Sequence, residues 1–155
     1  DGVVKDLATR TIGSVVSSGT VLMTVVPSNE LLQAERAGAR VARETALEIP
    51  AGQDWHAMVV DIQNDEVKWC GMLMKVIRSL QATPTDVTGA FHGKAMAIED
   101  MTERLVFLNR GQAWVVRRLQ ALIPRVQDAA IQTELQTMLD AHVGNIERVE
   151  RRLQA

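Results

Sequence analysis

The sequence has too few cysteines and aromatic residues for several common classes of protein. Its single cysteine, Cys70, excludes an intrachain disulfide and any zinc site built from cysteines. A reducing compartment, the cytoplasm, is therefore the expected location. Tyrosine is absent, and only two phenylalanines and three tryptophans are present, so leucine, alanine, valine and methionine must supply the core. This composition favours an all-α fold.

Strong net charge and long apolar runs are also lacking. The formal net charge is −2, which gives no indication of binding to nucleic acid or to an anionic membrane. No run of eighteen apolar residues occurs, so the sequence predicts no membrane span. Phosphate-binding loops, dinucleotide fingerprints and nucleophilic triads cannot be recognised either. The 155 residues suffice for one domain with a full-sized core.

The N-terminal segment differs from the rest of the chain in its periodicity. Short β-branched runs, broken by glycine and serine, occupy positions 3–4, 15–16 and 21–26. Such runs between turn residues are typical of short strands. We expect residues 1–28 to form a β-hairpin-like tail that ends at Pro27, as a remnant or a fusion, and residues 29–155 to form the main domain.

From Ser28 onward the apolar residues recur at helical spacing. Four amphipathic helices are predicted, over residues 30–47, 54–81, 91–123 and 126–153. Long helices joined by short connections are typical of bundles. The sequence therefore predicts an antiparallel up-down-up-down four-helix bundle.

Polar residues interrupt the apolar faces of these helices. Glu66 lies within the apolar stripe of the second helix, and Glu35 and His142 hold similar positions in the first and fourth. Glu35 and Glu66 are each about fifteen residues from the first turn, which places them at one level. Counted from Pro124, the level of His142 falls within a turn of Glu103. We therefore expect Glu35, Glu66, Glu103 and His142 to converge in the middle of the bundle.

Three carboxylates and an imidazole can be interpreted in two ways. They suit a hard or borderline metal such as iron, manganese or zinc. Di-iron bundles take a Glu from each of two helices and a Glu-x-x-His motif from each of the other two. Here the motifs are Glu66-x-x-Trp69 and Leu139-x-x-His142, so each is half present. A single-metal site and a metal-free polar network around His142 both remain open.

A second group of polar residues lies inside the third predicted helix. Asn109, Arg110 and Gln112 surround Gly111. They can be interpreted as a pocket or a clamp for an anion. The simpler interpretation, which we favour, is a set of hydrogen bonds between helices.

Residues 29–155 resemble an uncharacterised branch of the ferritin-like superfamily. The resemblance is carried by ELLQAERAGARV, QNDEVKWCGML, GAFHGKAMAIEDMTERLVFLNRGQAWVVRRL and MLDAHVGNIERV. It implies a ferritin-like four-helix bundle. It also implies that the metal ligands are Glu35, Glu66, Glu103 and His142, with iron as the expected metal and manganese or zinc as alternatives.

The N-terminal segment has a different resemblance. GVVKDLA and SSGTVLMTVVP are similar to stretches of haemolysin-type secretion adaptor (membrane-fusion) proteins. In that family such a stretch closes a periplasmic β-domain. The resemblance implies that residues 1–27 are a fragment of a β-domain joined to a helical bundle.

Two functions are compatible with these features. One is a ferritin-like protein whose glutamates hold a metal and leave a coordination position open for oxygen or peroxide chemistry. The other is a non-catalytic helical interaction or dimerisation module with a structural polar cluster and no cofactor. A homodimer is the expected assembly in either case. Neither function names a substrate.

Overall fold

The computed structural model describes residues 15–155, which form four long helices and one short helix. In chain order these are α1 (Val15–Glu48), α2 (Asp54–Ser79), α3 (Phe91–Met96), α4 (Met101–Leu122) and α5 (Ala129–Gln154), with a 3₁₀ turn at Ile123–Arg125. No strand occurs in this part of the chain, so the all-α expectation is confirmed for it. None of these helices has an apolar stretch long enough to cross a membrane.

The first helix begins earlier than the sequence predicts. The strands expected within residues 15–26 lie inside α1, which continues through Pro27. Thr24 and Val25 are buried, so packing outweighs the weak helix propensity of β-branched residues. The β-hairpin prediction is therefore wrong for this segment, and the run expected at positions 3–4 lies outside the described residues.

The third predicted helix is divided into two helices. α3 ends at Met96, and α4 begins at Met101 after a short connection. Asp100 starts α4, because its Oδ1 accepts a hydrogen bond of 2.8 Å from the backbone N–H of Glu103. Such an N-cap stabilises a new helix start. Asp128 caps α5 in the same manner by accepting from two backbone N–H groups.

Two apolar clusters make up the core, one towards each end of the bundle. The first contains Leu31, Leu32, Trp69, Leu73, Ile77, Val115, Leu119, Leu122, Val126, Leu135 and Met138. The second contains Val41, Ala42, Ala46, Ile49, Met58, Val59, Ile62, Ala95, Leu105, Leu108 and Val149. In each long helix a buried polar residue separates the two sets: Glu35, Glu66, Gln112 and His142. We call these four side chains the polar layer.

The connection between α2 and α3 is fastened to α1. The backbone N–H of Thr85 donates to Asn29 Oδ1 at 2.8 Å, and the Arg36 guanidinium donates to the Thr85 carbonyl. Further along, the N–H of Gly89 donates to the carbonyl of Gln33 at 3.3 Å. The connection therefore lies along α1 at the level of the polar layer.

Trp69 provides a test of this core. It is 3% exposed and is the largest side chain of the first cluster. Trp69→Ala is expected to lower the free energy of unfolding by about 3–5 kcal/mol, because truncating a large core side chain leaves a cavity. Trp114, which is only partly buried, is the matched control. Chemical denaturation measures both variants, and a loss for Trp69→Ala no greater than that for Trp114→Ala would contradict the assignment.

Candidate metal centre

Three ionisable side chains of the polar layer meet at one point. Glu35 comes from α1, Glu66 from α2 and His142 from α5, and none is more than 3% exposed. One carboxylate oxygen of each glutamate and one ring nitrogen of His142 all lie within 4.8 Å of one another. Burying such groups costs several kcal/mol unless their charges are balanced. The cluster therefore requires a cation, bound protons or hydrogen-bond donors.

The backbone of α5 fixes the orientation of His142. Its Nδ1 lies 2.9 Å from the carbonyl oxygen of Met138. Because a carbonyl only accepts hydrogen bonds, Nδ1 must carry the proton. Nε2 then faces Glu35, whose Oε1 lies 2.7 Å away. A histidine that donates through one ring nitrogen to a backbone carbonyl presents the other nitrogen in the way that metal-binding histidines do.

Glu35 Oε1 and His142 Nε2 lie 2.7 Å apart, which is an ion-pair distance when the ring is protonated. Glu66 Oε2 is buried and has no hydrogen-bond partner in the described part of the chain. Buried polar atoms are normally paired. Two carboxylates and an imidazole in this state are a donor set that fits iron, manganese or zinc.

Gly38 lets the carboxylate of Glu66 reach the cluster. A Cβ at this position would lie 2.5 Å from Glu66 Oε1 and 2.8 Å from its Cδ, closer than real Cβ atoms come. Gly38 lies three residues after Glu35, on the same face of α1. The absence of a side chain there therefore allows the two glutamates to lie side by side.

Burial changes the acidity of two members of the cluster. Burial raises the pKa of Glu66 well above 4.5, and the nearby carboxylates of Glu35 and Asp65 raise it further. Burial lowers the pKa of His142, but the Glu35 carboxylate outweighs that effect and the net shift is upward from 6.5. Without a metal, Glu66 and His142 therefore keep their protons at pH values where exposed groups have lost theirs.

Glu103 does not join this cluster. It is exposed in the first turn of α4, beside the capping residue Asp100. The sequence placed it at the level of His142 because both helices were counted from Pro124, whereas α4 ends at Leu122 and α5 begins only at Ala129. Of the four residues expected to converge, the structure brings together Glu35, Glu66 and His142.

Gln112 is the polar residue that α4 contributes instead. Its side chain is buried, and its Nε2 donates to Asn109 Oδ1 at 3.3 Å. Asn109 in turn donates through Nδ2 to the carbonyl of Ile146 at 3.3 Å, which fixes both amides. Gln112 Oε1 is left buried and without a partner among the described residues. The sequence contains a signal for this residue, because Gln112 interrupts the apolar stripe of α4 as Glu66 interrupts that of α2.

Other residues occupy the positions from which ligands to a second metal would come. Trp69, one turn after Glu66, belongs to the first apolar cluster, and Leu139 packs against it. Burial, together with the carboxylates of Glu35 and Glu66, raises the pKa of the Cys70 thiol to about 12, so Cys70 stays protonated. The described residues therefore supply acidic and imidazole ligands for one ion.

A pocket of about 510 Å³ extends from the polar layer towards solvent between α1 and α4. Its lining includes the buried residues Glu35, Glu66 and Gln112 and the exposed residues Arg110 and Arg117. Small molecules can therefore approach the cluster from one side.

Comparisons with known proteins agree with this architecture. A family model described as "Domain of unknown function (DUF6306)" matches residues 23–151. A ferritin-like, diiron-carboxylate protein from Bacillus anthracis str. Ames has a similar structure, with a TM-score of 0.77 and 18% sequence identity over 86% of this chain and 97% of that one. The ferritin-like fold is thereby confirmed. No curated protein matches. Nothing found supports the resemblance of residues 1–27 to secretion adaptors.

Gly38 and Gly71 make a matched pair for testing the close contact at Glu66. Gly38→Ala should lower the free energy of unfolding by about 1–3 kcal/mol, because the new Cβ overpacks the site. Gly71→Ala, at an exposed helical position where a Cβ meets nothing within 4 Å, should instead raise it by about 0.5–1 kcal/mol. Urea denaturation measures both. Equal stabilisation by the two substitutions would show that Glu66 does not rest on Gly38.

The metal-free protein should become less stable as the pH rises from about 5 to about 8. Unfolded Glu66 loses its proton near pH 4.5 and unfolded His142 near 6.5, whereas both folded groups hold theirs to higher pH. The unfolded state therefore binds fewer protons, and stability falls with pH. Melting temperatures measured after chelation report this. Glu66→Gln should remove the part of the decline that starts near pH 4.5, and a pH dependence identical to that of the unsubstituted protein would contradict the assignment.

Proposed function

The chain belongs to the family described as a domain of unknown function (DUF6306), and we propose its function from the geometry of the site. The protein binds one metal ion through Glu35, Glu66 and His142. One observation carries this proposal. Donor atoms from three different helices lie within 4.8 Å of one another and are buried, and the Glu66 carboxylate keeps an oxygen, Oε2, with no partner in the described part of the chain. A purely structural cluster would be expected to satisfy its own hydrogen bonds.

Iron is the ion we propose, with manganese or zinc as the alternatives. Two carboxylates and one imidazole suit all three, and the similar Bacillus anthracis structure is described as a diiron-carboxylate protein. When bound, such an ion would supply Lewis-acid chemistry. His142 would hold the ion through Nε2 while the Met138 carbonyl orients the ring, and Gln112 Oε1 would offer a neutral oxygen on the side of α4.

The proposed centre holds one ion rather than two. A second ion in a bundle of this kind takes ligands from complete Glu-x-x-His motifs on two helices. In this chain Trp69 and Leu139 fill the corresponding positions with apolar side chains. The proposed protein is therefore a ferritin-like metal protein whose centre differs from the di-iron type.

Metal binding and proton binding compete at this site. A metal ligand must be deprotonated, whereas Glu66 and His142 both hold protons more tightly than exposed groups do. Binding is therefore expected to release protons and to strengthen as the pH rises. The pH dependence of binding is opposite in sign to that of the stability of the metal-free protein.

The proposal also includes the arrangement and the assembly of the chain. We propose an up-down-up-down order of the long helices. The first apolar cluster pairs Leu31 of α1 with Ile77 near the end of α2, and the second pairs Ala46 near the end of α1 with Met58 near the start of α2, so these two helices run in opposite directions. A homodimer is part of the proposal, with the exposed Leu47 of α1 as a candidate contact. The cytoplasm remains the proposed location.

Metal content tests the central claim. The full chain, purified without chelator or nickel-affinity resin and supplied with Fe²⁺, should contain about one ion per chain by elemental analysis, because the site offers a single set of ligands. Glu66→Ala and His142→Ala should abolish binding while the helical circular dichroism is retained. Glu103→Ala is the matched control and should bind like the unsubstituted protein, because Glu103 is exposed.

The alternative, a structural polar cluster in an interaction module, makes the opposite prediction. Replacing a buried charged group with an apolar side chain of similar volume is often neutral or stabilising. If Glu66→Leu is more stable than the unsubstituted protein, and no iron, manganese or zinc binds to the latter, the metal proposal is wrong.

A further inference from the structure

We propose that the pocket beside the candidate metal centre binds an apolar carboxylic acid. Its carboxylate would lie at Arg110 and Arg117, and its hydrocarbon part between α1 and α4, pointing towards the polar layer. This inference rests on the proposed function in one respect, that the inner end of the pocket is the metal centre. It deepens that function by naming the class of molecule that would reach the metal.

The size and walls of the pocket suit a hydrocarbon ligand. Its volume of about 510 Å³ is within the range of roughly 300–1,000 Å³ found for small-molecule sites. The large apolar side chains that line it are Phe91, Phe107, Leu108, Trp114 and Val115. Removing hydrocarbon from water against such walls is favourable in proportion to the area buried.

One of these walls is fixed in place by its own packing. Phe91 stacks on Phe107 with ring centroids 4.9 Å apart and planes 7° from parallel. The same ring lies over Gly111, where a Cβ would come within 2.7 Å of Phe91 Cζ. The aromatic wall is therefore formed before any ligand binds, which lowers the entropic cost of binding.

The charge at the outer end of the pocket is positive. Arg110, Arg117 and Arg118 all line the pocket and are exposed. Arg118 lies 3.4 Å from Glu30 and over the ring of Trp114. Arg110 and Arg117 form no ion pair with any residue of the described chain. Their guanidinium groups are the natural partners of a planar carboxylate.

The charge at the inner end sets the direction of the ligand. Glu35 and Glu66 line that end, so a ligand carboxylate placed there would meet groups of its own sign. The carboxylate is therefore expected at the arginines and the hydrocarbon end at the polar layer. Gln112 Oε1, buried without a partner among the described residues, adds a further acceptor but no donor to the inner end.

Octanoate titrations of the full chain test the inference. Calorimetry should show saturable binding of octanoate, whereas octanol, which lacks the charge, and acetate, which lacks the hydrocarbon, should each bind about tenfold more weakly or worse. The double variant Arg110→Ala/Arg117→Ala should weaken octanoate binding by about tenfold or more. Arg78→Ala/Arg125→Ala, which removes two exposed arginines that do not line the pocket, is the matched control and should change nothing.

Metal analysis of the same samples separates this inference from the proposed function. The Arg110→Ala/Arg117→Ala variant should keep its ion, and Glu66→Ala should lose its ion but still bind octanoate. Absence of saturable octanoate binding, equal binding of octanol, or equal effects of the two double variants would each overturn the pocket inference, whatever the metal content. Octanoate binding to a protein that takes up no metal would overturn the proposed function and leave the pocket.

Discussion

Two carboxylates cannot be buried side by side without a balancing positive charge, and the rest of this bundle meets that constraint. Glu66 lies against the backbone at Gly38, Glu35 lies 2.7 Å from the imidazole of His142, and both glutamates lie between the two apolar clusters. Bound protons can supply this balance, and the proposed metal ion would supply it when bound.

Much of the fold could be predicted because the apolar stripes have a helical period from Ser28 to the end of the chain. The prediction was wrong where it relied on local residue preference. The valine-rich segment before Pro27 is helical, since burial of Thr24 and Val25 against the bundle is worth more than the small intrinsic preference of β-branched residues for strands. Nothing in the segment itself indicates which surface it will contact.

The proximity of Glu35 and Glu66 was predicted correctly because helix length could be counted from a tight turn. Glu35 and Glu66 flank such a turn, so counting residues places both at one level. The level of His142 on α4 was misplaced because residues were counted from Pro124 in both directions. The residues between the end of α4 and the start of α5 belong to neither helix and should not have been counted. When each helix is counted from its own end, the level of His142 in α5 corresponds to Asn109 in α4, one turn from Gln112. Gln112 was named from the sequence in a separate polar group of the third helix and was not placed with Glu35, Glu66 and His142, because an amide is a weaker signal for a metal ligand than a carboxylate or an imidazole.

The positions of the three ionisable groups along the chain have a consequence for how the protein folds. Glu35 and Glu66 belong to consecutive helices, which form a local hairpin. His142 lies beyond α3 and α4, in the last helix, so closing that longer loop costs more entropy. We infer that in refolding α1 and α2 pair before α5 docks, so that the imidazole of His142 reaches two glutamates that already lie side by side. Stopped-flow refolding that showed α5 docking before α1 and α2 pair would contradict this order.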